Sequence, residues 1–201
     1  FVVKAYEEFT LQSATSIAER FDRDLNHISR VSSVALEIYD KMKKLHGYKL
    51  RERTLLQVSA ILQDIGKYVN VKNHALLSYN TITNLDIVGI NDHERLIIAT
   101  VCYYHNGNIP SMDSPIYNQL SQEDRVMVSK LAAILQISNA INTSHSPKFE
   151  QVNVNMKNGK LNIYLTTLKN INLEKWAFIA KSKLFREVYG LNATIIKRGV
   201  L

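Results

Sequence analysis

The sequence predicts a mostly helical protein that ends in a small α+β unit made of a β-hairpin, a helix and a strand. Two observations support this prediction. Apolar residues recur at steps of three and four positions through the first three quarters of the chain, as in helices that bury one face. Nearer the C-terminus, strict alternation appears on both sides of Asn158-Gly159. We therefore predict a helical domain over residues 1–146 and a small α+β domain over residues 147–201.

The helical part divides into five predicted helices. Asp24 can cap the first, which is expected to end near Gly47, because glycine readily adopts the left-handed conformation that ends a helix. Gly66 closes the second helix. Ser121 opens the last one and is followed by Asp124, close to a capping box. The helices are predicted over residues 24–47, 55–65, 74–84, 91–104 and 122–142.

The C-terminal unit is predicted from alternation and turn chemistry. Residues 151–156 and 161–165 alternate polar and apolar side chains, and the Asn-Gly pair between them is the strongest short-range signal for a β-hairpin. A helix over residues 173–189 and a strand over residues 193–196 should follow. We expect Trp176 to be a core anchor between this helix and the hairpin.

Composition excludes several classes of protein. Hydrophobic residues make up 46% and charged residues 21% of the chain, which is too apolar for intrinsic disorder. A single cysteine, Cys102, excludes a disulfide framework and a Cys-rich zinc module. No apolar run reaches the roughly 18 residues of a membrane helix. We therefore expect a cytoplasmic protein without a membrane partner.

The charge is concentrated at one end of the chain. The chain carries 25 basic and 18 acidic residues, a net charge of +7, and residues 147–201 hold ten basic and three acidic residues, which is the whole excess. Such asymmetry favours a polyanion as partner, although a solvated basic face without a partner fits equally well. Five lysines are the candidates for polyanion binding, and three of them are expected on one helix: Lys157, Lys160, Lys175, Lys181 and Lys183.

Histidines and one aspartate are the candidate chemical groups. Neutral imidazole is both a metal ligand and a general base. His27, His74 and His105 lie on or beside the predicted helices. Asp64 ends an apolar helix, where a carboxylate needs a partner because burial of a lone charge is costly.

This arrangement resembles the HD superfamily of helical metal phosphohydrolases, whose ligands are a His, a His-Asp doublet and a distal Asp. His27 and Asp64 match that pattern. Gln63 and Asn139 stand at the other two positions, so the resemblance implies an HD-like helical domain with a degraded metal site. The residual pocket is expected to contain His27, Asp64, His74 and His105.

A closer resemblance is to the C-terminal HD-like region of the exopolyphosphatase/guanosine pentaphosphate phosphatase family. In that family an N-terminal, actin-like pair of domains is catalytic. The resemblance implies that this chain, which begins with Phe1 rather than Met, is a detached noncatalytic part. It further implies a homodimer, polyphosphate binding on a basic surface, no catalytic residue and no cofactor. The segments that carry it are residues 56–66, 73–79, 102–110, 131–140 and the tail from residue 173.

Two alternatives stay open at this point. One is a divergent stand-alone HD-type phosphohydrolase that acts on a nucleotide or phosphate ester, with a divalent metal on His27, Asp64, His74 and His105. The other is a nucleic-acid-binding or signalling module that uses the basic tail. The sequence does not favour RNA, because it has no aromatic-interleaved basic motif.

Overall fold

The computed structural model describes residues 2–21 and 24–199. These residues form ten α-helices, one 3₁₀ helix and three β-strands. The elements before residue 147 are α1 (Val2–Phe21), α2 (Leu25–Lys41), α3 (Lys43–His46), α4 (Leu50–Leu62), the 3₁₀ helix Ile65–Tyr68, α5 (His74–Ile82), α6 (Asp92–Tyr104), α7 (Pro115–Asn118) and α8 (Gln122–Ile141). The later elements are β1 (Gln151–Lys157), β2 (Lys160–Thr166), α9 (Asn172–Lys181), α10 (Lys183–Tyr189) and β3 (Asn192–Arg198).

The predicted fold class is confirmed, and so are the predicted N-terminal helix caps at Asp24 and Ser121. Asp24 accepts a hydrogen bond from the backbone N–H of His27 at 2.9 Å and caps α2. Ser121 Oγ accepts from the backbone N–H of Asp124 at 3.1 Å at the start of α8. Such caps satisfy backbone donors that have no partner within the helix.

Two helical predictions differ from the structure. The predicted first helix is interrupted at Met42, and the short α3 carries the chain on to Gly47, whose φ of 72° ends it. The helix α1 is not among the five predicted helices. Its apolar pattern is weakened at Tyr6 and Phe9, which are exposed, whereas Ala14, Ile17 and Ala18 are buried.

The core centres on α8. Every residue of this helix from Leu131 to Ile141 is buried, and α8 packs against α2, α4, α6, α9 and α10. A helix that is buried all round lies inside a fold rather than on its surface. It therefore contacts helices on both sides of residue 147.

The C-terminal unit contains a three-stranded mixed sheet in the order β1-β2-β3. The hairpin β1–β2 turns through Asn158 and Gly159, with φ values of 53° and 66°, which confirms the Asn-Gly prediction. Strand β3 runs parallel to β2, so the chain must cross over between them, and α9 and α10 form that crossover.

Two expectations for this crossover are wrong. Trp176 is 78% exposed, because Phe178, which points to the other side of α9, fills the inner position instead. Lys175, Lys181 and Lys183 do not share one helix, because the chain breaks at Ser182 and Lys183 opens α10. The break places Leu184 and Phe185 in the core.

Buried side chains from both sides of residue 147 belong to one continuous apolar cluster, in which Ile134 and Ile137 of α8 join Phe185 of α10. The division into domains at residues 1–146 and 147–201 stays a prediction. Among the described residues, no helix combines the length and apolar character that crossing a membrane requires.

Gly66 is a position where the packing requires glycine. A Cβ atom added there would lie 2.2 Å from the backbone oxygen of His74 and 2.5 Å from the backbone nitrogen of Ser78. We expect Gly66→Ala to lower the free energy of unfolding by about 1–3 kcal/mol, because α5 would have to move away. Urea denaturation measures this loss. Gly199→Ala is the control, since nothing lies within 4 Å of its added Cβ; equal stability of both variants would contradict the packing argument.

Candidate functional site

A polar pocket of about 150 Å³ lies where α2, α4, α5, α6 and α8 meet the end of α9. Both the helical part and the crossover contribute to it, since Lys181 comes from α9. The side chains that matter for its chemistry are His27, Asp64, Lys67, His74, His105 and Lys181.

Local hydrogen bonds fix the segment that carries Asp64. Ser78 Oγ of α5 donates to the backbone oxygen of Gln63 at 2.7 Å and accepts from the backbone N–H of Gly66 at 2.9 Å. The close approach of Gly66 to α5 makes this double contact possible. Asp64 therefore sits at the end of α4 with its backbone tied to the helix that begins with His74.

Asp64, His74 and His105 converge, as the sequence suggested. The two Nε2 atoms lie 3.2 Å apart. The Nε2 atom of His105 lies 3.3 Å from Asp64 Oδ1, and that of His74 lies 3.6 Å from the same oxygen. All three residues are buried.

Backbone carbonyls hold both rings in one orientation. His74 Nδ1 contacts the oxygen of Val71 at 2.7 Å, and His105 Nδ1 contacts the oxygen of Cys102. A carbonyl oxygen only accepts, so each Nδ1 must carry a proton.

Asp64 is 3% exposed and ionised. Burial alone would raise its pKa, but the contacts with His105 and Lys67 outweigh burial and hold the pKa well below its usual range. Lys67 Nζ donates to Oδ2 at 2.8 Å. The other oxygen, Oδ1, faces the Nε2 atoms of His105 and His74.

His27 lies beside this group rather than in it. Its Nε2 is 3.9 Å from Asp64 Oδ2, and its ring stacks on His145 with centroids 3.9 Å apart. Burial lowers the pKa of His27 to about 4, so the ring is neutral at pH 7. His145 in turn contacts Asp24 at 3.0 Å, which forms a second, more exposed group of Asp24, His27 and His145 at the rim.

The buried amide side chains of Gln63 and Asn139 form hydrogen bonds with each other. Gln63 Nε2 donates to Asn139 Oδ1 at 3.0 Å, and Asn139 Nδ2 donates to Gln63 Oε1 at 2.6 Å. Both side chains are buried. Their acceptor oxygens are thus engaged in a closed, neutral pair, which the sequence reasoning did not anticipate.

The candidate lysines divide between several places. Lys157 and Lys160 are exposed and directly opposite each other in the hairpin. Lys175 is exposed on α9, and Lys183 lies 3.8 Å from Glu187 on α10. Only Lys181 among the five lines the pocket, where burial lowers its pKa. Lys67 was missed, although its position three residues after Asp64 is the spacing of an ion pair on a helical turn.

Comparison with family models finds one match. The model described as Ppx/GppA phosphatase, domain III, covers residues 11–184. The match includes the pocket, the hairpin and α9, and ends at the second residue of α10.

The reciprocal amide pair makes a thermodynamic prediction. Gln63→Met or Asn139→Leu alone leaves a buried amide without its partner, so each should lower the free energy of unfolding by about 1–3 kcal/mol. The double variant removes both amides and should lose clearly less than the sum of the single losses. Urea denaturation of the four proteins gives this coupling, with Gln122→Met, at an exposed position, as the control. Strictly additive losses would show that the pair is not coupled.

Proposed function

The chain belongs to the Ppx/GppA phosphatase domain III family, a non-catalytic C-terminal region, and from this premise we propose that it binds polyphosphate or a similar linear polyanion. The proposed contact surface is the basic turn of the hairpin in residues 147–201. The observation that carries the proposal is the pair Lys157 and Lys160, two exposed lysines held side by side at the turn of the hairpin.

Like charges directly opposite each other on neighbouring strands destabilise a sheet. Among the described residues, no acidic side chain forms an ion pair with Lys157 or Lys160. By contrast, Lys148 is neutralised by the buried carboxylate of Glu174 at 3.0 Å. A bound polyanion would supply the negative charge that the hairpin turn lacks.

The chemistry of polyphosphate suits such a surface. It is a flexible chain of regularly spaced negative charges, and it offers no base edges to read. Lysine provides compact point charges on flexible stems, which suit such a ligand. Association should release counterions and therefore weaken steeply with salt.

The double variant Lys157→Gln/Lys160→Gln tests this surface. We expect its affinity for polyphosphate of defined chain length to fall about tenfold or more at low salt. The slope of log K against log salt should become shallower by about 1.5, because two phosphate contacts are lost. Fluorescence anisotropy over a salt series measures both quantities.

The matched control is Lys43→Gln/Lys44→Gln, which removes two exposed charges from α3. It should leave the affinity within about twofold. If both double variants bind like the unmodified protein, the proposed surface is wrong. If single-stranded RNA displaces polyphosphate at equal phosphate concentration and equal salt, the nucleic-acid alternative replaces the proposal.

The stand-alone phosphohydrolase is less favoured by the geometry. Two of the four HD ligand positions are amides, and the oxygen of each already accepts a hydrogen bond from the N–H group of the other. Amide oxygens are also weaker metal ligands than imidazole and carboxylate.

A second role, homodimerisation, is supported by the outer face of α9. Leu173, Trp176 and Ile179 are 48%, 78% and 73% exposed. Their spacing places them on neighbouring turns of one helix face. An exposed apolar helix face that carries tryptophan suits a two-fold interface, in which the same patch meets itself.

Trp176→Ser/Ile179→Ser is expected to convert a dimer of twice 23.0 kDa into a monomer of 23.0 kDa. The reason is the loss of the largest apolar groups of the proposed interface. Size-exclusion chromatography with light scattering over a concentration series measures the mass. The control Val88→Ser changes an exposed valine outside α9 and should leave the dimer intact. An unmodified protein that stays monomeric at its highest accessible concentration would refute this role.

A further inference from the structure

We propose that the outer face of the three-stranded sheet binds a short segment of single-stranded nucleic acid, with an unpaired base against the stacked side chains of Tyr164 and Arg198. This inference goes beyond the polyphosphate proposal, because it requires a ligand that carries bases. It also uses the end of the sheet that lies away from Lys157 and Lys160, so the two proposals can fail separately.

The alternation of side chains along the strands defines this outer face. Successive residues of a strand point to opposite sides of a sheet. One set of residues, which includes Val154 and Ile163, is buried in the core. The other set begins with Gln151 in β1, Lys160 in β2 and Asn192 in β3, and takes every second residue of each strand. The register places these twelve residues side by side, and all of them are exposed or half-buried, so a ligand can reach them.

The composition of the outer face suits an anionic ligand that also carries polar groups. Among its twelve residues, five are carboxamides, three are cations and none is a carboxylate. The chain as a whole has 18 acidic residues, so their absence from this face means that an anion meets no repulsion there. Carboxamides both donate and accept hydrogen bonds, which suits phosphate oxygens and the edges of bases.

Tyr164 and Arg198 form a stack on this face. The guanidinium carbon Cζ of Arg198 lies 3.6 Å from the centroid of the Tyr164 ring, which belongs to the central strand. Arg198 remains exposed, and among the described residues no carboxylate forms an ion pair with it. Where proteins bind single strands, unpaired bases stack on aromatic rings and on guanidinium planes. The stack therefore offers a flat surface to a base and N–H groups to its phosphate.

The fold creates this combination of groups. Tyr164 and Arg198 belong to different strands, and the linear sequence has no aromatic-interleaved basic motif. The parallel pairing of β3 with β2 brings the ring and the guanidinium together in space. The folded sheet thus supplies the aromatic ring, cation and amides that the linear pattern lacks.

Bases distinguish this ligand from polyphosphate and from a double helix. A phosphate chain has no flat surface that could stack on Arg198, and a duplex has its base faces already stacked on each other. Arg198 pairs with Thr166, six residues along β2 from Lys160, which is about 20 Å at about 3.3 Å per residue. A strand of a few nucleotides at the stack can therefore bind while polyphosphate occupies the hairpin turn.

The first experiment compares a labelled single-stranded RNA hexanucleotide of mixed sequence with an abasic strand of the same length and charge. Fluorescence anisotropy at one fixed salt concentration measures both affinities. The hexanucleotide should bind at least about tenfold more tightly, because each stacked base adds roughly that factor. Equal affinities would overturn the proposal, since the bases would then contribute nothing.

The variants separate stacking from charge. Arg198→Lys keeps the charge but removes the planar group, and should weaken hexanucleotide binding about tenfold. Tyr164→Leu should do the same, whereas Tyr164→Phe keeps the ring and should stay within about twofold. The matched control is Lys197→Gln, which removes a charge from the same strand. Lys197 belongs to the other set of side chains, and its Nζ donates to the backbone oxygen of Leu168 at 3.1 Å, so the loss should stay within about threefold.

Purely electrostatic binding predicts the opposite order, with Lys197→Gln weaker than Arg198→Lys, and that order would overturn the proposal. Circular dichroism establishes that each variant is folded. If Tyr164→Leu unfolds, the exposed Arg198→Lys decides the question.

Two further measurements distinguish failure of this proposal from failure of the polyphosphate proposal. Lys157→Gln/Lys160→Gln should keep the hexanucleotide affinity within about threefold, and Arg198→Lys should keep the polyphosphate affinity within about twofold. Polyphosphate at saturation should leave the hexanucleotide bound. Complete displacement of the hexanucleotide would overturn the separate site and leave only the polyanion surface at the turn.

Discussion

The burial of the second half of α8, from Leu131 to Ile141, is the constraint on which the rest of the structure depends. Since these residues are almost wholly withdrawn from water, the polar side chains among them must bind other groups of the protein. Gln136 donates to the backbone oxygens of Tyr104 and Asn108, at the end of α6 that positions His105. Asn139 binds the side chain of Gln63, which lies at the end of α4, next to Asp64. The hydrogen bonds that satisfy the polar side chains of α8 therefore also fix the end of α6 and the end of α4, which both line the pocket.

This constraint explains why a closed, neutral amide pair suits the buried positions of Gln63 and Asn139. A histidine and an aspartate at these buried positions would place a charge and a lone pair in the core, and each would require a cation or a proton. Gln63 and Asn139 satisfy each other and need neither. Asp64 is the carboxylate that the described residues bring into the pocket, and its negative charge faces Lys67 on one side and the two histidines on the other.

Features governed by neighbours in the chain could be predicted from the sequence, and features governed by distant contacts could not. The Asn158-Gly159 turn and the caps at Asp24 and Ser121 depend on a few adjacent residues, and all three are confirmed. The exposure of Trp176 depends on which side of α9 meets α8, a fact that the local pattern does not contain. In the site, the HD resemblance correctly indicated that histidines gather around Asp64. The amide pair escaped prediction because its members are 76 residues apart and neither type of side chain signals a partner.

The crossover helix α9 connects the pocket to the rest of the surface. Its inner side carries Glu174, which is fully buried, then Phe178, and then Lys181 at the pocket. Its outer side carries the exposed Trp176 and Ile179. A rigid helix of ten residues cannot move one side without the other, and Phe178 holds it against the core. A partner bound on the outer side would thus restrain the lysine on the inner side, and its binding would be physically linked to the charge at the mouth of the pocket.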